Sequence, residues 1–143
     1  MNLNPRVIEA AKDQFKLLKI WASVQLAQYA LESAWGHLTT GTYNFFGIKA
    51  VQGQPFTEKD THEYINGRYT PIRARFANYN SIEDAFHAHA LLLATHPAYK
   101  NALSKKTAEE FAQALTGVYA TDPMYGEKLI NLMRRSSLEQ YDT

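Results

Sequence analysis

Apolar side chains recur at helical spacing in five stretches of the chain. The first predicts an amphipathic helix from Pro5 to Lys19, because Asn4 and Pro5 form a helix-start signal and apolar residues follow at intervals of three and four. Capping and stop signals bound the other four helices. We predict them over residues 22–34, over 82–96, from Thr107 to a Gly117 stop, and after Asp122-Pro123. We also predict a helical turn over 98–103 and a frayed end from Ser136 to Thr143.

The period changes to two between Thr61 and Phe76, which indicates β-strands. The dipeptide Asn66-Gly67 lies inside this stretch and predicts a hairpin with a two-residue turn. Pro71 has no amide hydrogen to donate, so it predicts an exposed or terminating strand edge. Glu63 and Arg68 become diagonal neighbours on one face, a contact that favours an ionised Glu63. The predicted register pairs Ile65 with Arg68, Tyr64 with Tyr69 and Glu63 with Thr70.

These elements predict a single domain of mainly α (α+β) class over residues 1–143, with a β-hairpin lobe at about residues 55–76. The chain is 45% hydrophobic and 20% charged, as is typical of a globular protein. Its net charge of +1 gives no field that would favour nucleic acid as a partner. The sequence has no cysteine, and no apolar run approaches the length of a membrane span or forms a secretion signal.

A carboxylate, Glu32, stands at the end of the second predicted helix. The negative end of the helix dipole and the apolar neighbours Leu31 and Trp35 disfavour its charged form, so we expect a raised pKa for Glu32. A general acid that works near neutral pH needs this property. The alternative is an ordinary solvated carboxylate. Gln25 and Gln28 lie on the same helical stripe, which predicts either a sugar-binding wall or a solvated face.

Glu32 and Glu63 are the sharpest candidate pair for catalysis. Glycoside hydrolysis commonly uses one protonated carboxyl, which assists the leaving oxygen, and one ionised carboxylate, which activates water or stabilises positive charge. The contrasting surroundings predicted for the two residues fit that division. Asp60 and Glu58 precede the same hairpin and are alternatives to Glu63.

Metal and serine chemistry have weaker support. His87 and His89 are two apart on a predicted helix and so point to different faces. His62-Glu63 is followed by Asn66 where a zinc-protease motif needs its second histidine. No serine lies in a nucleophile elbow. We therefore predict no metal site and no cofactor.

The stretch from Gly36 to Gln54 is rich in glycine and aromatic residues and predicts an ordered loop with little regular structure. Within it, Asn44 either orients backbone or substrate or simply forms a turn. Tyr64 and Tyr119 are packing residues by default, and stacking on a sugar ring is their functional alternative.

Four sequence blocks carry a resemblance to a known family. They are SVQLAQYALESAWG at 23–36, NFFGIK at 44–49, THEYING at 61–67 and YATDP at 119–123. In this order they resemble the glucosaminidase family of glycoside hydrolases, family 73, over nearly the whole chain. The first block alone is also similar to lysozymes and lytic transglycosylases. Phe45 stands where the family more often has leucine, a departure that touches packing more than chemistry.

The resemblance implies a lysozyme-like helical fold with a small β lobe beside a peptidoglycan cleft. By similarity, Glu32 corresponds to the general acid and Glu63 to the second carboxylate. Tyr119 matches a tyrosine that lines the catalytic subsite, and Asn44 and Phe46 match the loop after the catalytic helix. The predicted substrate-binding set is Tyr119, Asn44, Phe46, Gln28 and Tyr64.

The function expected from this resemblance is an endo-β-N-acetylglucosaminidase that cleaves the β-1,4 bond after N-acetylglucosamine in peptidoglycan and lyses bacterial walls. Its partners would be glycan strands, without nucleic acid or membrane, and it would act as a monomer. The alternatives are a muramidase or lytic transglycosylase on the same fold, or a non-catalytic wall-binding or virion module. The family usually carries a signal peptide and wall-binding repeats. Without them we expect a phage-type endolysin, made in the host cytoplasm and released to the wall, or an excised secreted domain.

Overall fold

The computed structural model describes residues 3–143, and Met1 and Asn2 lie outside the described residues. The fold combines a helical body with one β-hairpin, which confirms the predicted mainly α class. Within residues 3–143, no helix has both the length and the apolar character that a membrane span requires. The elements are α1 (Pro5–Leu18), α2 (Ala22–Ser33), β1 (Phe56–Ile65), β2 (Arg68–Ala77), α3 (Ile82–Thr95), α4 (Lys100–Leu103), α5 (Ala108–Ala114) and α6 (Tyr125–Arg135), with 3₁₀ helices at Pro97–Tyr99 and Leu138–Tyr141.

Side-chain caps explain where three of the helices begin. The Asn4 side chain accepts a hydrogen bond from the Arg6 amide at 2.9 Å and starts α1. In the same way Ser81 caps α3 at 3.0 Å and Thr107 caps α5 at 3.1 Å. Each bond satisfies an amide that has no partner within its own helix. The starts predicted from these local signals are confirmed.

Helix α2 runs through the centre of the helical body and packs against α1, α5 and α6. Ten of its twelve residues are buried, and only Leu31 and Glu32, near the C-terminal end, are partly exposed. A helix surrounded by neighbours has to be apolar or internally hydrogen-bonded on nearly all of its faces. Glu32 therefore lies where the central helix leaves the core and reaches the surface.

The C-terminal segment is ordered and holds the start of α2. Leu138 is fully buried, and the Asp142 carboxylate accepts hydrogen bonds from the Ser23 amide at 2.8 Å and from the Ser23 hydroxyl at 2.6 Å. Helix α2 has no side-chain cap of its own, because Trp21 occupies its N-cap position. Asp142 supplies that cap from the far end of the chain, so the predicted fraying of residues 136–143 is wrong.

The hairpin has the predicted register over the turn, with Ile65 opposite Arg68 and Glu63 opposite Thr70. Asn66 and Gly67 both have positive φ angles, of 51° and 79°, as a tight two-residue turn requires. The strands are longer than predicted, because pairing continues to Phe56 and Ala77. Pro71 pairs opposite His62 inside β2, so β2 does not end there. The sheet of the described residues contains these two strands alone.

The loop between α2 and β1 is organised by Asn44, whose side chain is 1% exposed. Its Nδ2 group donates to the carbonyls of Ile48 at 2.8 Å and Ala77 at 2.9 Å. Its Oδ1 atom accepts from the amides of Phe46 and Ile48. Residues 48–50 then run along the edge of β2, with Ala50 donating to the Arg75 carbonyl at 2.9 Å. This loop joins the hairpin to the helical body and has little regular structure, as predicted.

Candidate active site

Glu32 lies on the last turn of α2, just before the chain turns away. Ala34, Trp35 and Gly36 all have positive φ angles and end the helix sharply. Burial raises the pKa of Glu32 to about 7, and the nearby Asp122 carboxylate adds to that rise. A hydrogen bond from Tyr125 and the charge of Lys128 act in the opposite direction. The raised pKa predicted for Glu32 is confirmed, with burial as its main cause, and the ordinary solvated carboxylate is excluded.

Gly47 lies against the Glu32 carboxylate. A Cβ atom built at Gly47 would be 3.5 Å from Oε2 of Glu32, and Gly47 has a φ of +67°, which favours glycine. The loop backbone therefore lies beside the carboxylate at this position.

Glu63 lies on β1 with its side chain 27% exposed, and it forms an ion pair with Lys49. The prediction that Arg68 is the charged partner of Glu63 is wrong. Lys49 belongs to the loop that precedes the hairpin, and reasoning from cross-strand neighbours alone could not find it. Since Lys49 follows Gly47 by two residues, one short loop contacts both candidate carboxylates.

Asp60 and Glu58, the alternatives to Glu63, lie on the other face of β1, because successive strand residues alternate between faces. Asp60 pairs with Arg73 at 2.9 Å, and Glu58 contacts Arg73 and Arg75 at 3.4 Å. The structure therefore separates these two acids from the face that carries Glu63.

Three of the predicted substrate-binding residues are buried and do not reach the surface. Asn44 is 1% exposed, and Phe46 and Gln28 are fully buried. Asn44 holds the loop, and Phe46 stacks on the His89 ring with centroids 3.9 Å apart. Gln25 is fully buried as well, so the stripe on α2 is neither a sugar-binding wall nor a solvated face. The sequence prediction that these side chains contact substrate directly is therefore corrected, because other elements pack against them and enclose them.

The two predicted tyrosines are partly exposed. The Tyr119 hydroxyl donates to the Phe46 carbonyl at 2.7 Å, and burial together with the charge of Glu32 raises the pKa of Tyr119. Tyr64 packs against Tyr69, and its amide donates to the Thr121 hydroxyl at 2.9 Å. The hairpin tip is thereby tied to the loop that precedes α6. Roles for Tyr119 and Tyr64 in substrate binding stay predictions.

Tyr125, Lys49 and His89 were not assigned to the site by sequence reasoning. Tyr125 is 2% exposed and begins α6, and its hydroxyl lowers the pKa of Glu32. The available signal was its place two residues after the YATDP block, but a buried tyrosine is by default a packing residue.

The histidines on α3 contact glutamines. Nδ1 of His87 lies 3.0 Å from Oε1 of Gln14, and Nε2 of His89 lies 2.7 Å from Oε1 of Gln28. They point to different faces of α3, as their spacing predicts. Among residues 3–143, no group of three or more histidine, aspartate or glutamate side chains is placed to hold a metal ion.

Comparisons with known proteins identify the family. A model of the family described as mannosyl-glycoprotein endo-beta-N-acetylglucosaminidase matches residues 8–138. An autolysin of Enterococcus faecalis is 37% identical over 135 residues, which are 87% of this chain and 18% of the autolysin. The peptidoglycan hydrolase FlgJ of Escherichia coli is 40% identical over 119 residues, which are 77% of this chain and 38% of FlgJ. A crystal structure of a peptidoglycan hydrolase mutant from Sphingomonas sp. A1 has a TM-score of 0.82 at 34% identity, and the match covers 93% of this chain and 92% of that one.

The family match includes both candidate carboxylates and nearly every element of the fold. The chain spans less than two fifths of the length of these two curated relatives. The chain belongs to the glucosaminidase family of glycoside hydrolases, family 73.

Proposed function

We propose that this protein is an endo-β-N-acetylglucosaminidase that hydrolyses the β-1,4 bond after N-acetylglucosamine in peptidoglycan. The observation that carries the proposal is the place of the Glu32 carboxylate at the surface end of a buried helix, where burial raises its pKa to about 7. Such a carboxyl keeps its proton near neutral pH and can give it to a leaving oxygen. Membership of the glucosaminidase family supports the reaction class, and the names of FlgJ and of the Sphingomonas protein, both peptidoglycan hydrolases, support the substrate.

In the proposed reaction, Glu32 protonates the glycosidic oxygen while the bond from that oxygen to the anomeric carbon breaks. Positive charge develops on the departing sugar ring. Glu63 acts as a base for water or as a stabiliser of that charge, and the water oxygen forms the new bond to the anomeric carbon. The 2-acetamido group of the substrate is an internal alternative nucleophile, which would reduce the demand on Glu63.

Chemical analysis of the products tests the proposal. Purified peptidoglycan digested with the protein should yield new reducing ends at N-acetylglucosamine within the strands, and Glu32→Gln should fold normally and yield none. New muramic acid ends would indicate a muramidase, and anhydromuramic ends a lytic transglycosylase. If the turbidity of a suspension of sacculi does not fall and no new reducing ends form, the protein is a non-catalytic wall-binding or virion module.

Two further proposals concern the working form. We propose that the protein acts as a monomer, because Glu32, Glu63, Lys49 and Tyr125 all come from one chain.

The proposed substrate lies outside the cytoplasmic membrane, so the protein has to reach the wall before it acts. We propose two alternatives: phage-type release from the host cytoplasm, or secretion as a domain of a longer protein. Cell fractionation distinguishes them, and sedimentation tests the monomer.

A further inference from the structure

A line of polar side chains connects the core to Glu32. Nε2 of His89, on α3, lies 2.7 Å from Oε1 of Gln28, on α2. Nε2 of Gln28 donates to the hydroxyl oxygen of Tyr125, on α6, at 3.0 Å. The Tyr125 hydroxyl also faces the Glu32 carboxylate, whose pKa it lowers. His89 and Gln28 are fully buried and Tyr125 is 2% exposed, so water does not compete for these bonds.

The direction of these hydrogen bonds follows from His89. Desolvation lowers the pKa of His89 to about 3, so the imidazole is neutral and carries a single N–H. Its Nδ1 atom is buried without a partner. An orphaned N–H is rarer in proteins than an orphaned acceptor, so the proton belongs on Nε2, where Oε1 of Gln28 accepts it. The Gln28 amide nitrogen then faces Tyr125, and the tyrosine oxygen accepts.

We propose that His89 and Gln28 are positioning residues, which fix the direction of the Tyr125 hydroxyl so that it donates its hydrogen to Glu32. A tyrosine oxygen that already accepts from an amide keeps its own hydrogen for another acceptor, and Glu32 is the neighbouring acceptor whose pKa this hydroxyl lowers. The inference rests on the proposed function only in naming Glu32 as the acid.

The opposite arrangement has a distinct consequence. If the Gln28 amide turned over, its oxygen would face Tyr125 and take the tyrosine hydrogen, and Glu32 would lose a donor. The other groups that face Glu32 do not replace that donor. Tyr119 donates to the Phe46 carbonyl, and Lys128 is paired with Asp122. The amide direction set by His89 therefore determines how well the Glu32 charge is stabilised.

Two variants test this chain of contacts. His89→Phe removes the donor that holds the Gln28 amide, and Tyr125→Phe removes the hydroxyl. Each change should raise the pKa of Glu32 by about 0.5 to 1 unit, because a hydrogen bond to the ionised form is lost. The pKa is measured from the Glu32 carboxyl carbon by ¹³C NMR, with Glu32→Gln for assignment. An acid must be protonated to act, so the falling basic limb of the pH–rate profile should move to higher pH by the same amount. The double variant should show no further shift.

The controls separate positioning from general damage to the core. His87→Phe breaks a similar histidine–glutamine contact on the same helix, away from Glu32, and should leave the pKa of Glu32 unchanged. His89→Gln keeps an amide donor near the Nε2 position and should restore the wild-type pKa. In the wild-type protein, ¹⁵N NMR should find His89 neutral with its proton on Nε2.

A proton on Nδ1 of His89, or a pKa of Glu32 that does not respond to His89→Phe, overturns the proposal. These NMR measurements need no substrate. A protein that shows the expected shifts but makes no N-acetylglucosamine ends would therefore retain the positioning role and lose the proposed function.

Discussion

Each candidate carboxylate is defined by the residues that touch it. The Glu32 carboxylate is largely buried, and the Gly47 backbone and the Tyr125 hydroxyl lie near it. Glu63 is partly exposed and forms an ion pair with Lys49. These surroundings differ in the way expected of an acid and a charge-stabilising group.

We predict that Glu63→Gln lowers hydrolysis of peptidoglycan by about 10²-fold or more, the usual scale for loss of a base or stabiliser. Asp60→Asn is the matched control, since it removes an acid three positions away on the opposite strand face. It should change the rate by less than about two-fold, because exposed ion pairs contribute little. Release of reducing ends measures both rates, and circular dichroism checks folding. Equal losses in the two variants would contradict the assignment of Glu63.

The direction of the pKa shift of Glu32 could be predicted from the sequence because the residue ends an apolar helix. The contributions of Tyr125, Asp122 and Lys128 could not, because these residues come from another part of the chain. Glu63 could be placed on the hairpin from local sequence signals. The burial of Gln28 could not be predicted, because it depends on α3 and α6 closing over α2. Lys49 was missed because its contact with Glu63 crosses between two elements.

At the scale of elements, α2 depends on the C-terminal segment for its cap. We predict that Asp142→Ala lowers the free energy of unfolding by about 1 to 2 kcal/mol, as loss of a helix cap does. Gln140→Ala is the control, because its side chain bonds only to the nearby Ser137 carbonyl at the surface. Urea unfolding measures both variants. An effect of Asp142→Ala no larger than that of Gln140→Ala would mean that the Ser23 contacts do not hold the helix.

The helix starts at Asn4, Ser81 and Thr107 could be predicted because each cap is next to its helix. The order of the C-terminus could not, because Asp142 and Ser23 are 119 positions apart. The hairpin turn was predictable from Asn66-Gly67, but not the full strand length, which depends on residues 48–50 pairing along β2.

At the scale of the whole molecule, Glu32 makes stability depend on pH. Its folded-state pKa of about 7 lies above the ordinary value of 4.5. Between these values the folded state binds more protons than the unfolded state, so stability falls as pH rises through this window. The loss is complete above the folded-state pKa.

We predict that Glu32→Gln is more stable than the wild type at pH 8, by on the order of 2 kcal/mol after allowing for partial exposure of the side chain, and nearly equal to it at pH 4. Thermal unfolding at the two pH values measures this difference. Glu9→Gln, at an exposed position on α1, should show no such pH-dependent gap. A stability difference between Glu32→Gln and the wild type that is the same at both pH values would contradict the raised pKa of Glu32.

A sheet of two strands has no interior strand, and each strand therefore presents unpaired backbone groups along one side. Here residues 48–50 cover the base of β2 and Pro71 removes one donor. On the face that carries Asp60 and Arg73, acids of β1 pair with arginines of β2. These features discourage a second copy from adding its own strand. On the peptidoglycan that we propose as its substrate, the protein would reach high local concentrations, and these edge features oppose strand pairing between neighbouring copies.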